Sequence, residues 1–167
     1  KTTDEYLMEK LEELKLESVG FEEQDVTQGR YAGWKKKARC EFSGVQSKLS
    51  KIREIKDKAE VEKLKIAVSL AERTFEYIIG IMRPGMTENQ VAAKMEYYMR
   101  KNGASAPAFE TIVASGKRSS LPHGHATEKV IENGDPVTLD FGALVDGYNS
   151  DMTRTVFVGR PDGKMKD

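Results

Sequence analysis

The chain has 167 residues, enough for one ordinary domain or parts of two, and for a core that needs no cross-links. Its 27 Lys and Arg balance its 27 Asp and Glu, which excludes the basic footprint of a nucleic-acid or anionic-membrane binder. The single cysteine, Cys40, excludes an internal disulfide and a four-cysteine zinc site; no apolar run approaches a membrane span and no signal peptide opens the chain, so the cytoplasm is the expected compartment.

Residues 1–18 read as an amphipathic helix, capped by Thr3 or Asp4, with Leu7, Leu11 and Leu14 at helical spacing. Val19 to Glu22 suits a short strand. Thr27 opens a second helix through about Ala38, carrying Tyr31 and Trp34. The basic run at 35–39 fits a solvated helix end better than a nucleic-acid patch, since cations suit a helix C-terminus. Two short helices and one strand make a poor free-standing domain, so residues 1–45 read as the end of a larger unit. Residues 40–56 are mixed and basic, with a break at Ser43-Gly44, and read as a connection, with 46–56 as the linker proper.

Residues 57–82 form the strongest helix signal. Val61, Leu64, Val68, Ala71, Phe75, Ile78 and Met82 recur at three- and four-residue steps, which is one apolar stripe. Arg83-Pro84-Gly85 ends it, because proline cannot continue the hydrogen-bond ladder. Thr87-Glu88-Asn89-Gln90 is a capping box for the next helix, which carries Val91, Met95 and Met99 on one face and ends near Gly103. After Gly103 the period changes to two. Phe109 to Ala114 reads as a strand, Leu121 to His125 as a loop or strand edge, and Asn133-Gly134-Asp135 as a turn. Val137 to Val158 reads as a hairpin about Asp146-Gly147.

That hairpin carries the chemistry. A two-residue turn opposes Val145 to Tyr148, Gly142 to Asp151 and Asp140 to Thr153. Opposed residues share a face, and the face continues at every second residue. Thr138, Asp140, Gly142, Asn149, Asp151, Thr153 and Thr155 then share a polar face, while Val137, Leu139, Phe141, Ala143, Val145 and their partners share a core face. Asp140 and Asp151 become diagonal neighbours about 7–8 Å apart at Cα, with Gly142 leaving the space between them unfilled. Converging carboxylates repel, and a divalent cation removes that conflict; oxygen-rich ligands suit manganese or another borderline ion, and paired metals activate water. The plain alternative is a solvated hairpin face, and a bulge would shift the register. His123 and His125 are either loop residues or ligand and acid–base groups. Arg154, on the core face, suggests a structural ion pair. Cys40 has no histidine near it in sequence and is not expected to be catalytic.

The runs Phe109-Glu110-Thr111-Ile112-Val113-Ala114-Ser115-Gly116, Leu121-Pro122-His123-Gly124, Leu139-Asp140-Phe141-Gly142-Ala143 and Ser150-Asp151-Met152-Thr153-Arg154-Thr155 resemble the proline-specific metallopeptidases of the pita-bread fold. These are the Xaa-Pro aminopeptidases and prolidases of family M24, relatives of methionine aminopeptidase and creatinase. Residues 53–103 also resemble the lead-in to that catalytic domain, and 1–45 the end of the small N-terminal domain before it. The resemblance implies an α+β fold: the first half of a pita-bread domain over 57–167, with two long helices and antiparallel hairpins, after the end of a small α/β domain.

The resemblance further implies two divalent metal ions, commonly manganese, with cobalt or zinc as alternatives. Asp140 matches the aspartate that binds one metal and Asp151 the one that bridges both. His123 matches a histidine beside the substrate; His125 matches no functional position. A metal-bridging water would attack the bond before proline, in a peptide with proline at its second position. The family's remaining ligands are a histidine and two glutamates. No histidine follows His125, so the reading implies a piece of a longer protein, holding two of five ligands, inactive alone and homodimeric when complete. Nucleic acid and membrane are not expected partners. The leading expectation is an Xaa-Pro aminopeptidase. A prolidase, a non-catalytic binding module and a creatinase-like hydrolase are the alternatives; retention of both aspartates weighs against the last two.

Overall fold

The structure is a computed structural model and describes residues 1–161; the tail of the expected catalytic half, 162–167, lies outside the described residues. The chain divides into two compact units, Lys1–Lys56 and the part from Asp57 onward. Among the described residues no helix is long and apolar enough to cross a membrane.

The first unit alternates helix and strand. Helix α1 spans Thr3–Leu14 and is capped by Thr2, one residue earlier than expected. Glu5 explains the difference: its carboxylate accepts from the Thr2 N–H while its own N–H donates to Thr2 Oγ1, which is a complete capping box. Strand β1 (Ser18–Phe21) follows, then α2 (Gln28–Lys37), capped by Thr27. The lysines at the end of α2 are exposed, as a solvated helix end requires. The stretch expected as a connection instead carries strand β2 (Glu41–Gly44), parallel to β1, and helix α3 (Gln46–Glu54). This unit packs on aromatic rings: Phe21 stacks on Tyr31 at 5.1 Å between centroids, and Phe42 lies 5.7 Å from Trp34.

The second unit begins with α4 (Lys58–Ile81), capped by Asp57 and Glu60, and α5 (Glu88–Lys101), capped by Thr87 and Gln90 as expected. The buried stripe of α4 is the expected one in part: Ala71 and Ile78 are buried, and Phe75 and Met82 pack against the core. Ala67, Leu70, Ala71, Thr74 and Ile78 are buried, whereas Val61 and Val68 are exposed. The stripe also takes in Ala67, Leu70 and Thr74, which the expectation left out. Thr74 enters the core because its hydroxyl donates to the Leu70 carbonyl at 2.7 Å, leaving no orphaned polar atom.

Four residues, 102–105, separate α5 from two three-stranded antiparallel sheets. Their strands are β3 (Ala106–Pro107), β4 (Ile112–Ser115), β5 (Pro136–Phe141), β6 (Ala143–Val145), β7 (Tyr148–Asn149) and β8 (Met152–Phe157). The orders are β3-β6-β7 and β4-β5-β8. The expected hairpin register holds on both sides of a break: Val145 faces Tyr148, and Asp140 faces Thr153. Asp146 and Gly147 both have positive φ, the geometry of a tight two-residue hairpin turn. The expected strand at 109–114 is shorter and displaced. Pro107 faces Ala143 but Ile112 faces Asp140, so 108–111 carry two extra residues, a bulge opposite Gly142. The core face is as expected: Val137, Leu139, Phe141 and Ala143 are fully buried with Met95 and Met99 of α5.

Candidate metal centre and its histidine loop

The break in the sheets falls between the two aspartates. Asp140 ends the polar row of β5, half-buried, and accepts a hydrogen bond from Thr153 Oγ1 at 3.0 Å. Asp151 is exposed in the step between β7 and β8. At the bend, Ala108 N–H donates to the Gly142 carbonyl at 2.8 Å, and Ser150 N–H donates to the Ala143 carbonyl at 3.0 Å. The Ser150 hydroxyl, buried here, also accepts from Ala143 N–H at 2.9 Å. Gly142 therefore does more than leave room between carboxylates: a Cβ there would lie 1.9 Å from the Ser150 carbonyl oxygen. The bulge at 108–111 lies beside the hairpin, and the hairpin keeps its register.

The face that carries Asp140 also carries Ile112, Ala114 and Thr138, since paired residues share a face. A 3-10 turn (Gly116–Ser120) after β4 sends the chain back over this face. The Ser119 carbonyl accepts from Thr138 Oγ1 at 3.2 Å, and Gly124 packs so closely on Ala114 that a Cβ would meet it at 3.0 Å. His125 then forms a bridge to Ile112, which itself faces Asp140. The loop thus covers the sheet beside Asp140, and His123 stands exposed on it with φ of 55°. A left-handed backbone at a residue other than glycine costs roughly 1–2 kcal/mol, so something must hold this loop. His125 Nδ1 lies 3.0 Å from Glu110 Oε1, an exposed pair, so this histidine is occupied by a neighbour. Arg154, expected in an ion pair, is exposed and donates to the Thr153 carbonyl at 2.8 Å. It has no carboxylate partner among the described residues, because β8 is an edge strand whose face is uncovered at that point.

The residue that holds the loop escaped the sequence reading. Glu88, the first residue of α5, is fully buried. Its Oε1 accepts from Ser115 N–H at 2.8 Å and Ser115 Oγ at 2.9 Å. Its Oε2 accepts from Thr127 N–H at 3.1 Å, Thr127 Oγ1 at 2.6 Å and Arg118 Nε at 3.3 Å. Burial alone would push this carboxyl up, but the bonds from Thr127 and Ser115 and the Arg118 charge outweigh it and hold it below the usual carboxylate range. Arg118 in turn donates to the His125 carbonyl at 2.8 Å. A glutamate in the first turn of a helix is ordinary for dipole reasons, so sequence held no signal of this role. Ser115 Oγ continues the chain of polar contacts to Lys129 Nζ at 2.9 Å, and Lys129 reaches Asp135 at 2.8 Å.

A carboxylate on β5 and one in the step between β7 and β8 are of the donor type that suits the oxygen-rich coordination of a divalent ion. Among the described residues, no three His, Cys, Asp or Glu side chains come together as a metal site.

A family model described as metallopeptidase family M24 matches residues 62–167. An Xaa-Pro dipeptidase of Pyrococcus furiosus is 46% identical over 127 residues, covering 76% of this chain and 36% of the relative. Among solved structures, an Xaa-Pro dipeptidase from Bacillus anthracis superposes with a TM-score of 0.90 at 43% identity, over 99% of this chain and 47% of that one. An X-Pro aminopeptidase from Thermotoga maritima superposes with a TM-score of 0.86 at 39% identity, over 99% and 47%. The chain therefore spans less than half the length of each of these proteins.

Proposed function

The chain belongs to metallopeptidase family M24, and from that premise we propose that the full-length protein is a metal-dependent exopeptidase cleaving the bond before proline. The observation that carries the proposal is the placement of Asp140 and Asp151 on either side of the Gly142 bend, with the His123 loop over the face of Asp140. The family match covers this whole arrangement.

Asp140 and Asp151 would hold two divalent ions, manganese first among the candidates, together with ligands from elsewhere in the protein. Bound there, such ions supply an activated water and polarise the scissile carbonyl. The part of this chain is to place charge and to orient. Thr153 fixes one oxygen of Asp140, leaving the other free to coordinate. His123 is exposed on the loop, where its imidazole can donate to a carbonyl oxygen as negative charge develops. His125, paired with Glu110, has no part in the reaction.

The substrate is an Xaa-Pro dipeptide in the first instance. The relatives named Xaa-Pro dipeptidase support that choice. Aminopeptidase action on longer Xaa-Pro peptides is the second reading, supported by the likeness to the Thermotoga maritima enzyme. The test is hydrolysis by the full-length protein of an Xaa-Pro dipeptide, an Xaa-Pro-Xaa tripeptide and an Xaa-Ala dipeptide, with manganese and with a chelator. Chelator-sensitive cleavage of the dipeptide with proline alone supports the dipeptidase; preference for the tripeptide moves the assignment to the aminopeptidase. Equal cleavage of the alanine peptide, or none of any, contradicts the proposal.

A further inference from the structure

The segment from Ser115 to Thr127 leaves β4, turns through Gly116–Ser120, carries His123, and returns to the start of α5. Its two ends meet on one side chain. Ser115 binds one oxygen of Glu88 through its backbone N–H and its hydroxyl; Thr127 binds the other oxygen in the same two ways. Arg118, near the beginning of the loop, joins Thr127 on that oxygen and reaches across to the His125 carbonyl. The helix backbone adds to the clamp: Asn89 N–H donates to the Thr127 carbonyl at 3.0 Å and Glu88 N–H to the Lys129 carbonyl at 3.0 Å. These are amide donors of the first turn of α5, which have no partners within the helix.

We propose that Glu88 is a positioning residue for His123, closing the base of its loop so that the strained histidine backbone is held over the face of Asp140. The inference rests on the reading of His123 as a substrate-facing group. A carboxylate is required at position 88. Five donors converge on two oxygens, and both oxygens must accept. A glutamine of the same shape presents one NH2 group, and in either orientation that group faces a backbone N–H, of Ser115 or of Thr127, that cannot accept from it. The loop would then loosen at one end or the other while β4 and β5 stay paired through their backbone. A misplacement of the imidazole by about 1 Å is enough to lower turnover on the order of 100-fold.

The test is a double-mutant cycle in the full-length enzyme with its metal bound, comparing Glu88→Gln, His123→Ala and both together, with metal content measured for each. Glu88→Gln is expected to lower kcat on the order of 100-fold with metal content unchanged, and to have almost no further effect once His123 is alanine. Amide exchange should rise at Gly116 to Ala126 and stay protected at Val113 and Leu139. Where Glu88→Gln does not fold, Thr127→Val removes one donor and gives the same pattern with a smaller loss. Losses that multiply in the double variant, or unchanged exchange in the loop, overturn the proposal. Full turnover in His123→Ala removes the reading of His123 itself; turnover lost in His123→Ala but kept in Glu88→Gln removes only the role of Glu88.

Discussion

Gly142 and Ser150 approach so closely that any side chain at 142 would have to displace the Ser150 backbone, its Cβ lying 1.9 Å from that carbonyl oxygen. This contact is the hinge of the hairpin. It lets β5 and β8 belong to one sheet and β6 and β7 to another, with Asp140 on one side of the bend and Asp151 on the other. Gly142→Ala is therefore expected to destabilise the protein by at least the roughly 1–3 kcal/mol typical of overpacking, and to weaken metal binding. Gly80→Ala is the control of opposite sign. No atom lies near its Cβ, and alanine in a helix is favoured by up to about 1 kcal/mol over glycine. Urea unfolding of the two variants measures both; a stable Gly142→Ala would mean that the bend is not required.

His123 is expected to act on the substrate and not on the metal. In the full-length enzyme, His123→Ala should lower kcat by a factor of about 100 to 10,000, the usual contribution of a positioned acid–base or electrostatic group, with metal content retained. Loss of metal in that variant would make His123 a ligand. His125→Ala should leave turnover near the native value, since its ring is engaged with Glu110 at the surface.

Acid should release the loop before it unfolds the core. Glu88 has its carboxyl held below the usual range when folded, so its contribution to stability is complete above its unfolded value near about 4.3 and is lost as pH falls through the lower folded value. Asp135 behaves in the same sense: burial opposes its charge, but Lys129 and the Glu132 N–H outweigh that and hold it low. Urea midpoints followed from about pH 7 to about pH 3 should fall less steeply for Glu88→Gln than for the native protein. Identical slopes would contradict the clamp.

The core face can be separated from the polar one. Leu139 is fully buried and faces Arg154 across the β5–β8 pair. Leu139→Ala should cost about 2–5 kcal/mol, the range for a buried leucine whose surroundings relax only in part. In the full-length enzyme its kcat at a temperature where it stays folded should be near native, because the variant leaves Asp140, Asp151 and His123 in place.

Much of this was legible in the sequence because it is local. The capping box at Thr87 and the Asp146-Gly147 turn are decided by residues within a few positions of each other. The turn then fixes the register, and the register puts both aspartates on one hairpin. What remained hidden depends on distant partners. The bulge at 108–111 is defined only against Gly142. The burial of Ala67, Leu70 and Thr74 on α4 depends on what packs against the helix, and the Thr74 hydroxyl is concealed by its own helix. Glu88 reads as an ordinary first-turn glutamate until Ser115 and Thr127 are brought to it from 27 and 39 residues away.

The central claim is that Asp140 and Asp151 hold metal in the full-length protein. Manganese titration calorimetry of the native protein, Asp140→Asn and Asp151→Asn tests it directly, with circular dichroism to check that each is folded. The account predicts two bound ions in the native protein and a loss of at least one in each variant, Asp151→Asn also losing all Xaa-Pro hydrolysis. Native stoichiometry and affinity in a folded Asp151→Asn would contradict it.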